Sequence, residues 1–344
     1  MMAKNAPTDF GRCVTRFLTS HLPGERNLSP LTIKSYSFAL KQFIGFINTN
    51  SGIKPDRIEL KHVTASKVKE FLASIGEPGN ISPNTYNQRL SALKTFVRYA
   101  IMEYPAFIMA GQRILAISSK RSAAHEIIYL EKDAMKALLS MPDQASARGR
   151  RDLAIIALLY DTGARIQELI NLKVKDIRLV APEVVTISGK GQKMRTVSIM
   201  AETAKIVESY MYDRGFLEQP SCGGLHLFSS TNREQFTRPG ITKILNKHFA
   251  AARITNSLVP FPECIHPHAL RASKAIHLLE SGVNIITIRD FLGHTSVSTT
   301  QVYLRVNNQA KREAIASAYP ALTEAVPAWR ENSDLMTLLK DLCS

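Results

Sequence analysis

The chain has 344 residues, enough for two ordinary domains with separate cores, and carries a formal net charge of +15 on a sequence that is 45% hydrophobic and 21% charged. A basic excess on a foldable sequence points to a polyanionic partner. Four scattered cysteines without C-x-x-C spacing argue against a disulfide scaffold and suit a reducing cytoplasm, and the apolar run from Leu153 to Tyr160 is far shorter than the ~20 residues of a membrane span.

In chain order, amphipathic helices are expected around Phe10–Ser20, Pro30–Asn48, Thr64–Ser74 and Ser82–Tyr99. Two of them carry a start signal, Ser29-Pro30 and Ser82-Pro83, with Ser at the N-cap and Pro at the first helical position. Phe38, Phe43, Phe46 and Ile47 are expected to form one buried stripe, while Lys34 and Lys41, seven residues apart, share a face. On the fourth helix Arg89, Lys94 and Arg98 interleave with Leu90, Leu93 and Phe96. These cations read either as an ordinary solvated face or, together, as a surface lying along DNA and held by phosphate contacts.

Pro105 to about Ala124 is the expected linker, after which Ile127-Ile128-Tyr129-Leu130 opens a second domain. The apolar helix through Leu153–Tyr160 is expected to end at Gly163, where glycine accepts the left-handed conformation of a helix end, placing Arg165 at the start of the next helix. Val184–Ser188 and Met194–Ile199 alternate as the strands of a hairpin whose tip is Gly189-Lys190-Gly191-Gln192-Lys193. A nucleotide-phosphate loop does not fit this tip, because G-x-x-x-x-G-K-[S/T] is absent.

Beyond the hairpin come His268-Ala269-Leu270-Arg271, then Leu292-Gly293-His294, then Tyr303. Each piece alone has a plain reading: Arg165 and Glu168 as a surface i,i+3 pair, His294 as a helix cap, Tyr303 as a core tyrosine. Cys264-Ile265-His266-Pro267-His268 lacks the C-x₂₋₄-C or H-x₃₋₅-H spacing of a structural zinc site. Taken together, the pieces surround a tyrosine with phosphate-binding cations. A phenol whose pKa is near 10 attacks a phosphodiester only where donors stabilise the pentacoordinate phosphorus and a proton reaches the leaving oxygen.

In this order the pieces resemble the tyrosine recombinase family, the phage integrases and Xer-like enzymes, over nearly the whole chain: Ala164-Arg165-Ile166-Gln167-Glu168-Leu169, then Gly189-Lys190-Gly191, His268-Ala269-Leu270-Arg271, Leu292-Gly293-His294 and Tyr303. The chain departs from many relatives at Ala272-Ser273-Lys274, where they carry His and a short S/T-F-A-T-like run. The resemblance implies a mainly α fold with a small antiparallel β-sheet in two domains, a helical core-binding domain and a recombinase catalytic domain. Its expected extents are 8–105 for the first, 106–124 for the linker, 125–323 for the second and 324–344 for a tail.

The implied catalytic set is Arg165, Lys190, His268, Arg271, His294 and the nucleophile Tyr303, working without cofactor, ATP or metal. Lys190 is the expected general acid on the leaving 5′ oxygen, with Lys193 as its substitute, and His268 either assists proton transfer from the tyrosine or hydrogen-bonds the phosphate. The implied partners are double-stranded DNA with inverted-repeat core sites, gripped in part by Lys34, Lys41, Arg89, Lys94 and Arg98, and further copies of the chain forming a tetramer. No membrane partner is expected, and the location is cytoplasmic, at the nucleoid. The amphipathic tail carrying Trp329, Leu335, Leu338 and Leu342 is expected to dock on a neighbouring protomer, or to fold back on its own catalytic domain. Integration or excision of a mobile element is the expected role. Dimer resolution by an Xer-like enzyme, type IB topoisomerase or telomere-resolving chemistry, and DNA organisation without cleavage are the alternatives.

Overall fold

The computed structural model describes residues 6–75, 82–121, 127–189, 193–218, 220–229, 235–304 and 342. The chain divides into two compact units, Met1–His125 and Glu126–Ser344. The fold is mainly helical with one three-stranded antiparallel sheet.

The first unit contains α1 (Asp9–Arg16), α2 (Pro30–Ser51), α3 (Ala65–Ser74), α4 (Pro83–Glu103) and α5 (Ile108–Leu115). Local chemistry sets their starts: Ser29 Oγ accepts from Thr32 N and Ser82 Oγ accepts from Thr85 N, each at 3.3 Å, with proline in the first turn. α1 continues into a π-helical stretch, Phe17–Glu25, that buries Phe17, His21 and Leu22. Phe10, Phe17, Phe43, Phe71 and Phe96 fill the core, Phe10 meeting Phe96 and Phe43 meeting Phe71 edge-on with centroids 5.7 and 5.3 Å apart. Each such buried ring contributes about 1.5–3 kcal/mol.

Two expectations change here. Phe38 is not part of the buried stripe: it is 50% exposed, and the Arg89 guanidinium lies 4.8 Å over its ring. Residues 106–124 do not form a plain linker either, because α5 lies within them and buries Gly111 and Ile114 in the first unit's core.

The second unit runs α6 (Lys132–Leu139), α7 (Ala147–Thr162), α8 (Ile166–Asn171), β1 (Ile177–Arg178), β2 (Val184–Ser188), β3 (Met194–Ser198), α9 (Ala201–Asp213), α10 (Arg238–Thr255), α11 (Pro267–Glu280), α12 (Ile285–Leu292) and α13 (Val297–Leu304). α7 buries every residue from Leu153 to Leu159, so this helix is apolar all round because it is surrounded. Polar side chains along it reach outward to neighbours: Arg150 pairs bidentately with Asp213 on α9, and Asp152 bonds His248 on α10 at 3.0 Å. β2 pairs with β3 from Val184↔Ser198 to Ser188↔Met194, and β1 adds a short outer strand that the sequence pattern does not announce.

Candidate active site and nucleic-acid interface

The site is built where α7 ends. Gly163 takes φ +56, and a Cβ there would stand 2.8 Å from Leu292 Cδ2 as well as straining the backbone. The chain then turns into α8 with Arg165 as its N-cap residue. Glu168, one turn on, is buried and gathers three donors: Arg165 N at 2.9 Å, Arg165 Nη1 at 2.7 Å and Arg195 Nη2 at 2.8 Å. Arg165 and Glu168 are therefore not a surface pair; the carboxylate is a buried bracket, while 42% of the Arg165 side chain stays open to a ligand. Burial alone would raise the Glu168 pKa, but the Arg195 and Arg165 donors outweigh it and hold the carboxyl below its ordinary value.

Arg271, on α11, is fully buried. Its Nη1 donates to Gly163 O at 2.5 Å and its Nη2 to Leu292 O at 2.7 Å, so one guanidinium ties the Arg165 turn to the Leu292-Gly293-His294 turn. No carboxylate pairs with it among the described residues, and its buried Nε has no hydrogen-bond partner there. Burial, then the charge of Arg165, lower its pKa to about 10, so it remains cationic at neutral pH. Among the described residues, three guanidiniums, Arg165, Arg195 and Arg271, thus face one carboxylate, that of Glu168. A buried excess of cations with unused donors is a site for a dianionic or monoanionic oxyanion.

Around these arginines stand two histidines and a tyrosine. Gly293 has φ +65, and a Cβ on it would come within 3.1 Å of Arg195 Cδ and Nη1. His294 follows, its N donating to Arg289 O at 3.0 Å in a Schellman-type helix end. Its Nδ1 meets Thr300 Oγ1 at 2.9 Å, while Ser296 Oγ accepts from Ser298 N at 3.3 Å at the start of α13, so His294 is not the cap. Burial and then Arg271, Arg165, His268 and Arg195 lower the His294 pKa to about 4. His268 keeps its outer surface in solvent, yet loss of hydration and then Arg271, His266 and Arg165 hold it below the ordinary histidine value. His266 is the N-cap of α11, its Nδ1 accepting from Ala269 N at 3.1 Å. Tyr303 is 6% exposed on α13, packed with Ala272, Ile276, Ile288 and Leu292. Burial raises its pKa, and Arg271 and Arg165 oppose that rise.

Of the six expected catalytic residues, five therefore converge on one electrostatically coupled cluster: Arg165, His268, Arg271, His294 and Tyr303. Lys190 lies outside the described residues, which resume at Lys193, whose carbonyl accepts from Gly189 N at 2.8 Å. The tail 324–344 also lies outside them, except for an exposed Leu342. On the first unit, Lys34, Lys41 and Arg98 are exposed, whereas Arg89 donates to Gln42 Oε1 at 2.7 Å and Lys94 donates to Ile117 O at 2.5 Å. Lys94 thus spends a donor on holding the chain after α5 in place.

Arg195 and Thr300 were not singled out from sequence; alternation along β3 put Arg195 beside the lysine hairpin, which was the available signal. The departure at Lys274 resolves into a strut: Nζ bonds Asp161 Oδ1 at 2.9 Å and lies 5.3 Å from the Tyr160 ring centroid, while Asp161 Oδ2 accepts from Met200 N at 2.7 Å. A second basic face was also missed. α10 begins on a Thr237 cap and exposes Arg238, Lys243 and Lys247 along a shallow depression, and Arg238 Nε reaches Gln167 Oε1 on α8 at 2.9 Å. The i,i+4 spacing of Lys243 and Lys247 carried that signal.

Acid should loosen this unit. His268, His277 and His294 all have lowered pKa values when folded, so below about 6.5 the unfolded chain binds more protons and stability falls as pH drops. Calorimetry between pH 7 and 5 is expected to show a falling melting temperature. His294→Asn should flatten that fall; an unchanged slope would contradict the assignment.

Comparison with known proteins places these features in context. Residues 129–310 match the phage integrase family, and residues 14–104 match the phage integrase N-terminal SAM-like domain. A protein described as an integrase/recombinase from Sinorhizobium fredii is 32% identical over 95% of this chain and 96% of its own length. The tyrosine recombinase XerC of Pelobacter propionicus is 30% identical over 87% of this chain and 93% of its own. Among solved structures, the Tn1549 transposon integrase with transposon right end DNA superposes with a TM-score of 0.67 at 17% identity, covering 88% of this chain and 99% of that one. The XerH recombinase bound to its palindromic difH substrate gives 0.66 at 20% identity, covering 90% and 88%.

Proposed function

This chain belongs to the phage integrase family of tyrosine recombinases, DNA strand-exchanging enzymes, and from that premise we propose the roles of its residues and its biological task. The observation that carries the reading is the buried Arg271 guanidinium, bonded to no carboxylate and with an unpartnered Nε–H among the described residues, acting electrostatically on both Arg165 and Tyr303.

Arg165, Arg271 and His294 hold the nonbridging oxygens of the scissile phosphate and take up charge as phosphorus becomes pentacoordinate. Tyr303 Oη attacks in line. Its raised pKa keeps it protonated at pH 7, so the proton leaves as the P–O bond forms, and His268, held neutral beside the same two arginines, is assigned to accept it. The bond to the 5′ oxygen breaks, Lys190 supplies the proton to that oxygen, and a 3′-phosphotyrosyl link remains. A 5′-hydroxyl from a partner strand then reverses the same steps. The ester broken and the ester formed are of similar energy, so strand exchange proceeds without ATP.

The DNA contacts are proposed on two faces: Lys34, Lys41 and Arg98 on the first unit, with Arg89 beside them, and Arg238, Lys243 and Lys247 on α10. Phosphate contacts of this kind make affinity fall steeply with salt. The working assembly is a tetramer on two duplexes with inverted-repeat core sites, linked by the tail of 324–344. Integration or excision of a mobile element is the favoured task, supported by an integrase/recombinase relative that covers 95% of the chain. Resolution of chromosome or plasmid dimers is the second reading, supported by XerC relatives aligned over 93% of their own length.

The test is covalent capture on nicked, labelled duplexes carrying the repeats that flank the gene. The intact chain is expected to form a protein–DNA adduct stable to detergent, and Tyr303→Phe to form none while binding DNA with unchanged affinity. Salt-dependent binding without an adduct from the intact chain would leave a non-cleaving DNA-binding protein.

A further inference from the structure

Thr300 is 1% exposed and lies on α13 three residues before Tyr303, so the two side chains leave the same face of that helix. Its hydroxyl meets His294 Nδ1 at 2.9 Å. Among the described residues that is the only hydrogen-bond partner of the Thr300 hydroxyl, and none pairs with Nε2 of His294.

We propose that Thr300 is a positioning residue for strand cleavage: its hydroxyl donates to His294 Nδ1, leaves the ring proton on Nε2, and ties that donor to the helix carrying Tyr303. This rests on reading the site as a phosphoryl-transfer centre. A neutral imidazole carries one N–H. If it sat on Nδ1, the buried Thr300 hydroxyl would accept it and its own hydrogen would have no acceptor among the described residues. Nε2 would then present a bare lone pair to phosphate oxygens. With Thr300 as donor, the buried hydroxyl and the Nδ1 of the half-buried ring satisfy each other, and the Nε2–H dipole is left for an anion.

The surroundings keep the ring neutral. Arg271 on α11, Arg165 at the start of α8 and Arg195 on β3 act on His294 with positive charge, a proton on His268 of α11 would add to theirs, and among the described residues no carboxylate counters them there. An imidazolium is therefore disfavoured, and the neutral tautomer decides whether the ring is donor or acceptor. A hydrogen-bonded neighbour that fixes a histidine tautomer acts through that histidine, without touching the reacting atoms. Thr300 adds a second constraint, because a hydroxyl anchored on α13 sets the distance between the phosphate donor and the nucleophile's helix.

The experiment uses the full chain labelled with ¹⁵N-histidine, together with Thr300→Val and Thr300→Ser. At pH 7 and without DNA, wild-type His294 is expected to read as unprotonated at Nδ1 and protonated at Nε2. On the nicked duplex, Thr300→Val is expected to form adduct roughly 10- to 100-fold more slowly than wild type, the range seen when an orienting outer hydrogen bond is lost. Its DNA affinity should be unchanged, and Thr300→Ser should stay within about threefold of wild type. A wild-type Nδ1–H tautomer overturns the proposal, as does a Val variant that cleaves at the wild-type rate or a folded Ser variant as slow as Val. The tautomer is read without cleavage, so it decides the Thr300 bond even if wild type forms no adduct, an outcome that would instead remove the catalytic reading.

Discussion

Arg271→Lys is expected to lower adduct formation by at least about 10³-fold, because it removes more than one oriented donor, each worth about 10²–10³ in an oxyanion site. The charge is nominally kept, yet the geometry is not. The guanidinium spends Nη1 on Gly163 O and Nη2 on Leu292 O and still has Nε–H and the outer Nη hydrogens for phosphate. A single ammonium cannot reach two carbonyls on different turns and a phosphate at once. The buried position sharpens the contrast, since burial that lowers the arginine only to about 10 would bring a lysine, which starts lower, much closer to neutrality. Whatever activity Arg271→Lys retains should then decline as pH rises and its ammonium deprotonates, a slope that wild type lacks. Single-turnover cleavage across pH 6 to 9 measures both effects, and a lysine variant within tenfold of wild type would remove Arg271 from its central role.

The fold class, and five of the residues gathered in this cluster, were legible in the sequence because their signals are local. Ser-Pro starts, the Gly163 helix end and the alternating strands around Gly189 are each decided within a few residues, and they lie where the pattern put them. The family motifs were legible as an ordered set, and five of the six residues expected from them lie in one cluster. What could not be read were the pairings across the chain. Arg195 reaches Glu168 across 27 residues and Lys274 reaches Asp161 across 113, and neither spacing leaves a periodic trace. α5 escaped because its helix has no side-chain cap to mark its start, so the stretch reads as linker although it buries Ile114. Phe38 failed for the opposite reason: helical spacing marked an apolar stripe, but Arg89 covers that ring in place of core.

Glu168→Ala is expected to cost about 3–5 kcal/mol, the range for removing one partner of a buried ionic cluster, and so to lower the melting temperature of the catalytic unit by roughly 10 °C. Glu168 is the carboxylate that separates Arg165 from Arg195, with Arg271 acting on the same charge. Without it, three guanidiniums repel one another around a largely buried position, and Arg165 loses both the bond to its side chain and the one to its N–H. Adduct formation should fall in parallel, since Arg165 is then free to swing away from the phosphate. Glu168→Gln keeps one acceptor oxygen and the side-chain volume, so its loss should be smaller. The acid response separates the two contributions. The Glu168 carboxyl lies below its ordinary value when folded, so its stabilisation is present above the unfolded pKa and is lost as pH falls through the folded one. Wild type should therefore lose more stability than Glu168→Gln on titration below about pH 4.5. The vacated cation cluster in Glu168→Ala should also bind inorganic sulfate or phosphate more tightly than wild type does, recovering part of the lost melting temperature as anion is added. Calorimetry of the three proteins with and without sulfate reads all of this. An alanine variant as stable as wild type, and indifferent to sulfate, would mean that the arginines are not held by this carboxylate.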